Sequence, residues 1–402
     1  MDQKRVGLRN PYICGGWVAG PYFYGRQKLV QEIASGHLGP CPGLTHSSVG
    51  RSKLGQARGD LYIMGGRRSG KTSLLRRVEE VCSGNRERLC LLLDLQISGR
   101  SLEGLFQTLR AELRRKVYRQ EHLLSPGLLA APDLFALTDE LISQVEVRGI
   151  ELLLLLDEAE VLLEMANSFP GPLARLWQAW RKCPAVQVVV AASRALSSMG
   201  RLLGPELSDP FWEGFHLRCL ARLDDEAAEA LIRQGNSSSP VLAALSVVES
   251  IKEVTGCQPY LLQSLCQRLY QPDRTLRSLG EAYLEVDDLL DSLFHADYQN
   301  LLPEERGVLW AVGSRSVDMG ALRAATQLED EHLGVCLHWL ECLGYVQRRE
   351  DQFYIANRFL ASWLLSHQEE LREMPVSPYA LGELEAMGYG FLADTPPVKE
   401  QV

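Results

Sequence analysis

"IMGGRRSGKTSLLRRV", residues 63–78, ends a short apolar run with Gly65, four intervening residues, Gly70, Lys71 and Thr72. Glycines at those two positions let a loop turn successive amide N–H groups toward one anion, and a helix beginning at Lys71 adds the positive end of its dipole. In that geometry Lys71 reaches the β- and γ-phosphates of a nucleotide, and the Thr72 hydroxyl ligates Mg²⁺. Gly66, Arg67, Arg68, Ser69, Gly70 and Ser73 complete the candidate binding loop; Arg67 and Arg68 fill its variable positions and read as solvent-facing rather than catalytic. The competing reading is a glycine-rich turn before an ordinary helix. Placement between the strand-like "LYIM" (61–64) and an amphipathic helix favours the phosphate loop.

Outward from that loop, apolar strand-like runs alternate with amphipathic helical ones from Asp60 to about Leu220. "LCLLLDL" (89–95), "LLLLLD" (152–157), "VQVVVAAS" (186–193) and "GFHLRCL" (214–220) read as strands, with helices from Lys71, through 101–118 and 133–147, and around "PLARLWQAWRKC" (172–183). This rhythm predicts an α/β fold, a mostly parallel sheet with helices on both faces. Past Leu220 the strand signal fades. Residues 223–296 read as short helices, one of them "PVLAALSVVESIKEV" (240–254), and 303–366 as three helices followed by the hairpin "GYVQRREDQFYIA" (344–356). "GHLGPCPGLTHSSVGRSKLGQARG" (36–59) reads as a flexible loop, and the proline-bracketed end of the chain as a mobile tail.

A phosphate loop needs a carboxylate at the end of a neighbouring strand to hold the metal. "IELLLLLDEAE" (150–160) offers Asp157 to orient Mg²⁺ and Glu158 to polarise an attacking water as general base. By themselves an apolar run and two acids are equally a strand leaving the core. "VQVVVAASR" ends in Ser193 and Arg194, where Arg194 could sense the γ-phosphate or pair with a surface acid.

The chain has 402 residues, 46% of them hydrophobic, and a formal net charge of −9. Two or three domains fit that length. The overall field repels phosphate backbones, so a nucleic-acid surface would have to be a local basic patch. Ten cysteines, none closer to another than six residues, show no zinc-type or redox-pair spacing and read mostly as small core residues. No segment has the length and apolarity of a secretion signal or a membrane span, which points to a cytoplasmic protein without membrane contact.

"NPYICGGWVAGPYFYGR" (10–26), "GRRSGKTSLLRR" (66–77), "LLLDLQ" (91–96), "LLLLLDEAE" (152–160) and "TGCQPYLLQSLCQRL" (255–269) together resemble the STAND branch of AAA-like P-loop ATPases, close to the bacterial and archaeal AAA-like group. The resemblance runs from about Asn10 to Leu365. It implies a P-loop NTPase core of the ASCE/AAA-like kind (60–222), preceded by a nucleotide-covering segment (1–35) and a loop (36–59). A helical lid (223–298), a winged helix (299–368) and a tail (369–402) would follow. It further implies that the segment Tyr22 to Arg26, with Tyr24, Gly25 and Arg26, closes over the base, and that Pro259 of the lid reaches the nucleotide. The family's second glycine before that proline is Cys257 here, which puts the local backbone in question; Pro259 also suits a first helical turn in its own right.

What the resemblance implies functionally is an ATP/ADP- and Mg²⁺-dependent switch, hydrolysing slowly, that self-associates and controls a separately encoded protein effector in bacterial signalling or defence. An AAA-type ATPase acting on nucleic acid, such as a replication initiator or transposition helper, is the alternative. The third helix of the winged-helix region, "DEHLGVCLHWLECLGY" (330–345), lacks lysine and arginine and cannot neutralise phosphates. Arg348 and Arg349 are the nearby basic pair, so nucleic acid is disfavoured. A scaffold that binds nucleotide without turning it over is a third reading, against which Glu158 stands.

Overall fold

A computed structural model describes residues 10–36, 59–119, 122–192, 203, 215–220, 222–313 and 315–375. The chain divides into two compact units. One is Met1–Lys28, Gly65–Arg77 and Cys219–Pro375; the other is Leu29–Met64, Val78–Arg218 and Val376–Val402.

The second unit is built on β1 (Asp60–Met64), β2 (Arg88–Asp94), β3 (Glu151–Asp157) and β4 (Val186–Ala192), with β5 (Phe215–Cys219) completing a five-stranded sheet in the order β2-β3-β4-β1-β5. The β2–β3, β3–β4 and β1–β4 pairs are parallel, as the alternating pattern predicts. Every residue of β4, and all of β3 after Glu151, is buried, as continuous apolar strands covered on both faces must be. Each such leucine or valine contributes roughly 1.5–3 kcal/mol by leaving water. Helices α1 (Gln27–Ser35), α3 (Leu102–Arg119), α4 (Leu134–Arg148), α5 (Val161–Ser168) and α6 (Pro170–Lys182) accompany the sheet, while α2 (Lys71–Cys82) begins right after the phosphate loop. Helix α4 shows why its ends fall where they do. Asp133 accepts from the Ala136 amide at the start, and Gly149 closes the end at φ +63°. Arg88 is almost wholly buried, held by the Ala34 carbonyl, by Gln187 and by Glu151 at 3.8 Å. A charge in that position persists only because it is paired.

The first unit is helical. It contains α7 (Asp225–Ile232), α8 (Leu245–Thr255), α9 (Pro259–Leu269), α10 (Asp288–Gln299), α11 (Pro303–Val312), α12 (Met319–Thr326), α13 (Asp330–Leu343), α14 (Arg358–Ser366) and α15 (Gln368–Glu373). A small antiparallel sheet, β6 (Val317–Asp318), β8 (Gln352–Ile355) and β7 (Val346–Arg349), carries the expected hairpin. One continuous apolar core runs from Tyr12 and Tyr24 through α7–α14 to Leu371. Aspartates at the helix starts, Asp224, Asp287 and Asp318, accept amide hydrogen bonds and set where α7, α10 and α12 begin.

Two sequence expectations are corrected here. The helix expected from residue 240 starts only at Leu245. Before it, the Val241 amide bonds to Arg233 O, and Leu242 exchanges hydrogen bonds with the 274–276 segment, so tertiary pairing overrides the helical pattern. The cysteine reading holds for Cys82, Cys90, Cys183, Cys257, Cys266 and Cys336, which are buried. It fails for Cys219 and Cys342, which are joined in a disulfide 123 residues apart with Cα atoms 4.9 Å from each other. Spacing along the chain cannot reveal a pair brought together by folding. Closing so long a loop restricts the unfolded chain, so Cys342→Ser should lower unfolding free energy by about 2–5 kcal/mol. Denaturant titration with and without reductant checks this: the variant and the reduced wild type should coincide, and a reductant-insensitive wild type would contradict it.

Candidate nucleotide site

The phosphate loop packs so closely that its glycines are obligatory. A Cβ on Gly65 would lie 2.7 Å from the Leu220 carbonyl oxygen, and one on Gly66 would lie 2.7 Å from that of Leu343. Gly70 has φ +95°, a region L-residues avoid. Lys71 is buried and its ammonium donates to Gly65 O at 2.9 Å and Gly66 O at 3.1 Å, so the loop curls around its own lysine. Thr72 sits half-buried in the first turn of α2, and the Ser73 hydroxyl accepts from the Val18 amide at 3.0 Å.

Of the segment before α1, Arg26 reaches this loop, while Tyr24 and Gly25 pack on the helical core. Arg26 has φ +61°, and its Nη1 donates to Ser69 O at 2.6 Å. Burial lowers its pKa to about 10, with Asp224 acting in the opposite sense. Tyr24 is buried in the helical core, and a Cβ on Gly25 would strike Ala227 of α7 at 2.7 Å. Pro259 occupies the first turn of α9, and the neighbouring Tyr260 ring lies under the Arg68 guanidinium at 5.4 Å. Cys257, standing where a glycine was expected, adopts φ +56°, immediately after Gly256 at +57°. The backbone there keeps the left-handed form, and a side chain strained by roughly 1–2 kcal/mol takes the glycine's place.

Arg67 and Arg68 are exposed, as read from sequence, but Arg67 also faces an unforeseen partner. Its Nε lies 3.6 Å from Asp297 Oδ1 of α10, a carboxylate only 10% exposed. Burial raises the Asp297 pKa to about 6, opposed by the Tyr345 hydroxyl, Arg67 and Lys71. In sequence Asp297 is an ordinary acid in "LFHADYQN"; no local signal marks it. Because its folded pKa exceeds the ordinary carboxylate value, it favours the fold below about pH 4 and progressively less as pH rises through 6. For an anion bound at the loop the consequence is direct. Above pH 6 the ionised carboxylate competes for Arg67 and Lys71; below it the competition ends. Asp297→Asn should therefore bind ADP more tightly at pH 7.5 and as the wild type does at pH 5; equal affinities at both pH values would contradict the role. Calorimetric titration reads both.

The acid pair stands at the end of β3. Asp157 is 3% exposed and accepts from the Glu158 amide at 3.1 Å, while Glu158 takes φ +51°, a bend that turns the chain out of the strand. In the parallel register Asp94 of β2 lies opposite Asp157, an acid the sequence reading passed over inside "LLLDLQ". Since β1 and β3 both flank β4, Met64, which leads into the phosphate loop, and Asp157 lie at the same edge of the sheet. Ser193 and Arg194 lie outside the described residues, as does the tail beyond Pro375.

Two buried polar atoms at the loop, Arg26 Nη2 and Ser69 Oγ, have no hydrogen-bond partner among the described residues. Such atoms cost about 1–3 kcal/mol each when left unpaired. Both suit an oxygen-rich anion, and with Lys71 they form a donor set that fits the phosphates of a nucleotide.

A parallel sheet whose first strand runs into a Gly-x-x-x-x-Gly-Lys-Thr loop is that of a P-loop NTPase. Among solved structures the chain resembles a Walker-type ATPase of Pyrococcus abyssi, with 17% identity, TM-score 0.51, and coverage of 76% of this chain and 90% of that one. It also resembles the Aeropyrum pernix ORC2 protein in ADPNP–ADP complexes (14% identity, TM-score 0.49, 92% and 99% coverage). A third likeness is to the Aeropyrum pernix ORC1 protein in complex with DNA (13%, 0.37, 85% and 91%). At 17% identity the first of these shows the fold alone, and the other two are too distant in shape to carry an argument. No protein-family model matches the chain, and no curated protein does. These observations show an α/β P-loop NTPase fold with helical elements; the finer STAND assignment is not supported. Among the described residues no helix is long and apolar enough to cross a membrane.

Proposed function

We propose that the chain is an AAA-type ATPase that binds ATP and Mg²⁺, hydrolyses the ATP, and uses the nucleotide state to reset the pose of its helical unit. The observation that carries the reading is the donor set at the loop: Lys71 held in the curl, with Arg26 Nη2 and Ser69 Oγ buried and unpartnered beside it. Lys71, Arg26 and the loop amides would hold the phosphates, Thr72 and Asp157 the metal, and Arg194 would report on the γ-phosphate. When bound, Mg²⁺ would neutralise phosphate charge. Glu158 would position water and take its proton, while Tyr24, Gly25 and Pro259 would border the base.

For the target we favour duplex nucleic acid, the reading held as the alternative on sequence grounds. Its support is a basic cleft beside the hairpin. Arg315, Arg349 and Arg358 line one cavity of about 480 Å³ together with Glu253, Tyr354 and Asn357; Arg358 also pairs with Glu281, and Arg348, next to Arg349 on β7, is exposed and pairs with Asp351. Sequence exposed only Arg348 and Arg349 as neighbours; folding adds the other two. Contact would run through this wing and not through α13, whose first turn carries Asp330 and Glu331. The acidic α13 and the net charge of −9 favour the second reading, a self-associating switch that controls a protein effector. Duplex binding measured across salt separates them. Contacts from about three arginines would give a log–log slope near −3, lost in Arg349→Ala with Arg315→Ala; salt-independent or absent binding would sink the nucleic-acid reading and leave the protein switch.

A further inference from the structure

Away from the nucleotide loop, three ligand-bearing side chains converge where α10 meets the junction of α14 and α15. Asp291 and His295 stand one turn apart on α10, and His367 links α14 to α15. One oxygen of Asp291 and one ring nitrogen of each histidine lie within 4.8 Å of one another. Asp291 Oδ1 is 3.3 Å from His295 Nδ1 and 3.2 Å from His367 Nε2. The edge of a tetrahedron around a metal with bonds near 2.1 Å is about 3.4 Å, so both separations fit shared coordination.

The groups behind these atoms decide how the rings are presented. His367 Nδ1 lies 3.0 Å from the Trp363 carbonyl, which accepts its proton and leaves the Nε2 lone pair aimed at Asp291. His295 Nε2 lies 3.2 Å from Glu370 Oε1, and Nδ1 faces both the Asp291 main-chain carbonyl at 3.0 Å and Asp291 Oδ1 at 3.3 Å; with the proton on Nε2, held by Glu370, the Nδ1 lone pair is left on the Asp291 side. The indole of the fully buried Trp363 donates to Asp291 Oδ1 at 2.8 Å and fixes the carboxylate. Each of the three atoms thus has a partner that orients it, the arrangement found behind metal ligands.

We propose that Asp291 Oδ1, His295 Nδ1 and His367 Nε2 form a binding site for a divalent transition metal of the zinc class, with Glu370 as a positioning residue. Two imidazoles and a carboxylate suit zinc, and side-chain exposures of 21–35% leave a path from solvent. The metal would clamp α10 to the α14–α15 junction. Asp297, the phosphate-loop acid, lies on that same helix two residues past His295.

The test uses the full chain without nucleotide and without reductant, so that Cys219 and Cys342 stay bonded. Titration with ZnCl₂ followed by calorimetry should give one zinc per chain. CoCl₂ should give a tetrahedral visible spectrum without a thiolate charge-transfer band. His367→Ala, whose ring is a quarter exposed, should lose at least 10-fold in zinc affinity while its circular dichroism stays that of the wild type; Glu370→Gln should lose about 10-fold through the orienting bond alone. Zinc affinity unchanged in His367→Ala, absence of binding at micromolar zinc, or a thiolate band with cobalt would each overturn the site.

Discussion

Lys71→Ala should abolish nucleotide binding. The buried ammonium bonds to Gly65 O and Gly66 O, acceptors it would exchange for phosphate oxygens when a nucleotide enters. Two charge-assisted hydrogen bonds at about 1.5–3 kcal/mol each, lost together, correspond to a fall in affinity of at least about 100-fold. The fold should persist, because alanine is the best helix former at the start of α2, and circular dichroism checks this against the loss of the buried lysine stem. Equilibrium titration with a fluorescent ATP analogue measures the effect, and a change of less than threefold would contradict the role.

Glu158→Gln should separate binding from turnover. The residue leaves β3 at φ +51°, and glutamine keeps its size and shape, so ATP affinity should stay within about twofold. Glutamine cannot accept a proton from water, and loss of a general base costs about 10²–10⁴-fold in kcat. The variant should therefore hold ATP, and single-turnover assays should find uncleaved triphosphate after many wild-type turnovers. If binding fell as far as in Lys71→Ala, Glu158 would belong to the binding loop rather than to the chemistry.

How much of this was legible in the sequence depends on how local each requirement is. The phosphate loop and β3 were readable because their needs lie within consecutive residues: glycines at a fixed spacing, a buried run ending in an acid. Asp297 was not. Nothing around it differs from a solvated helix face, and only the folding of α10 brings it to Arg67. The same applies to Arg315 and Arg358, which join Arg349 across some 34 and nine residues of chain, and to Cys219 with Cys342. The start of α8 was misplaced because Val241 and Leu242 satisfy helical periodicity yet are claimed by hydrogen bonds to distant segments. Cys257 shows the converse: a missing glycine in sequence marked a backbone position that is left-handed all the same.

The most direct measurement is a structure determined with magnesium and a non-hydrolysable ATP analogue. The triphosphate should lie against the amides from Gly66 to Thr72, with Lys71 Nζ moved off Gly65 O and Gly66 O onto phosphate and Arg26 Nη2 and Ser69 Oγ now paired. A loop that keeps its lysine on its own carbonyls while the analogue binds elsewhere, or not at all, would contradict the account.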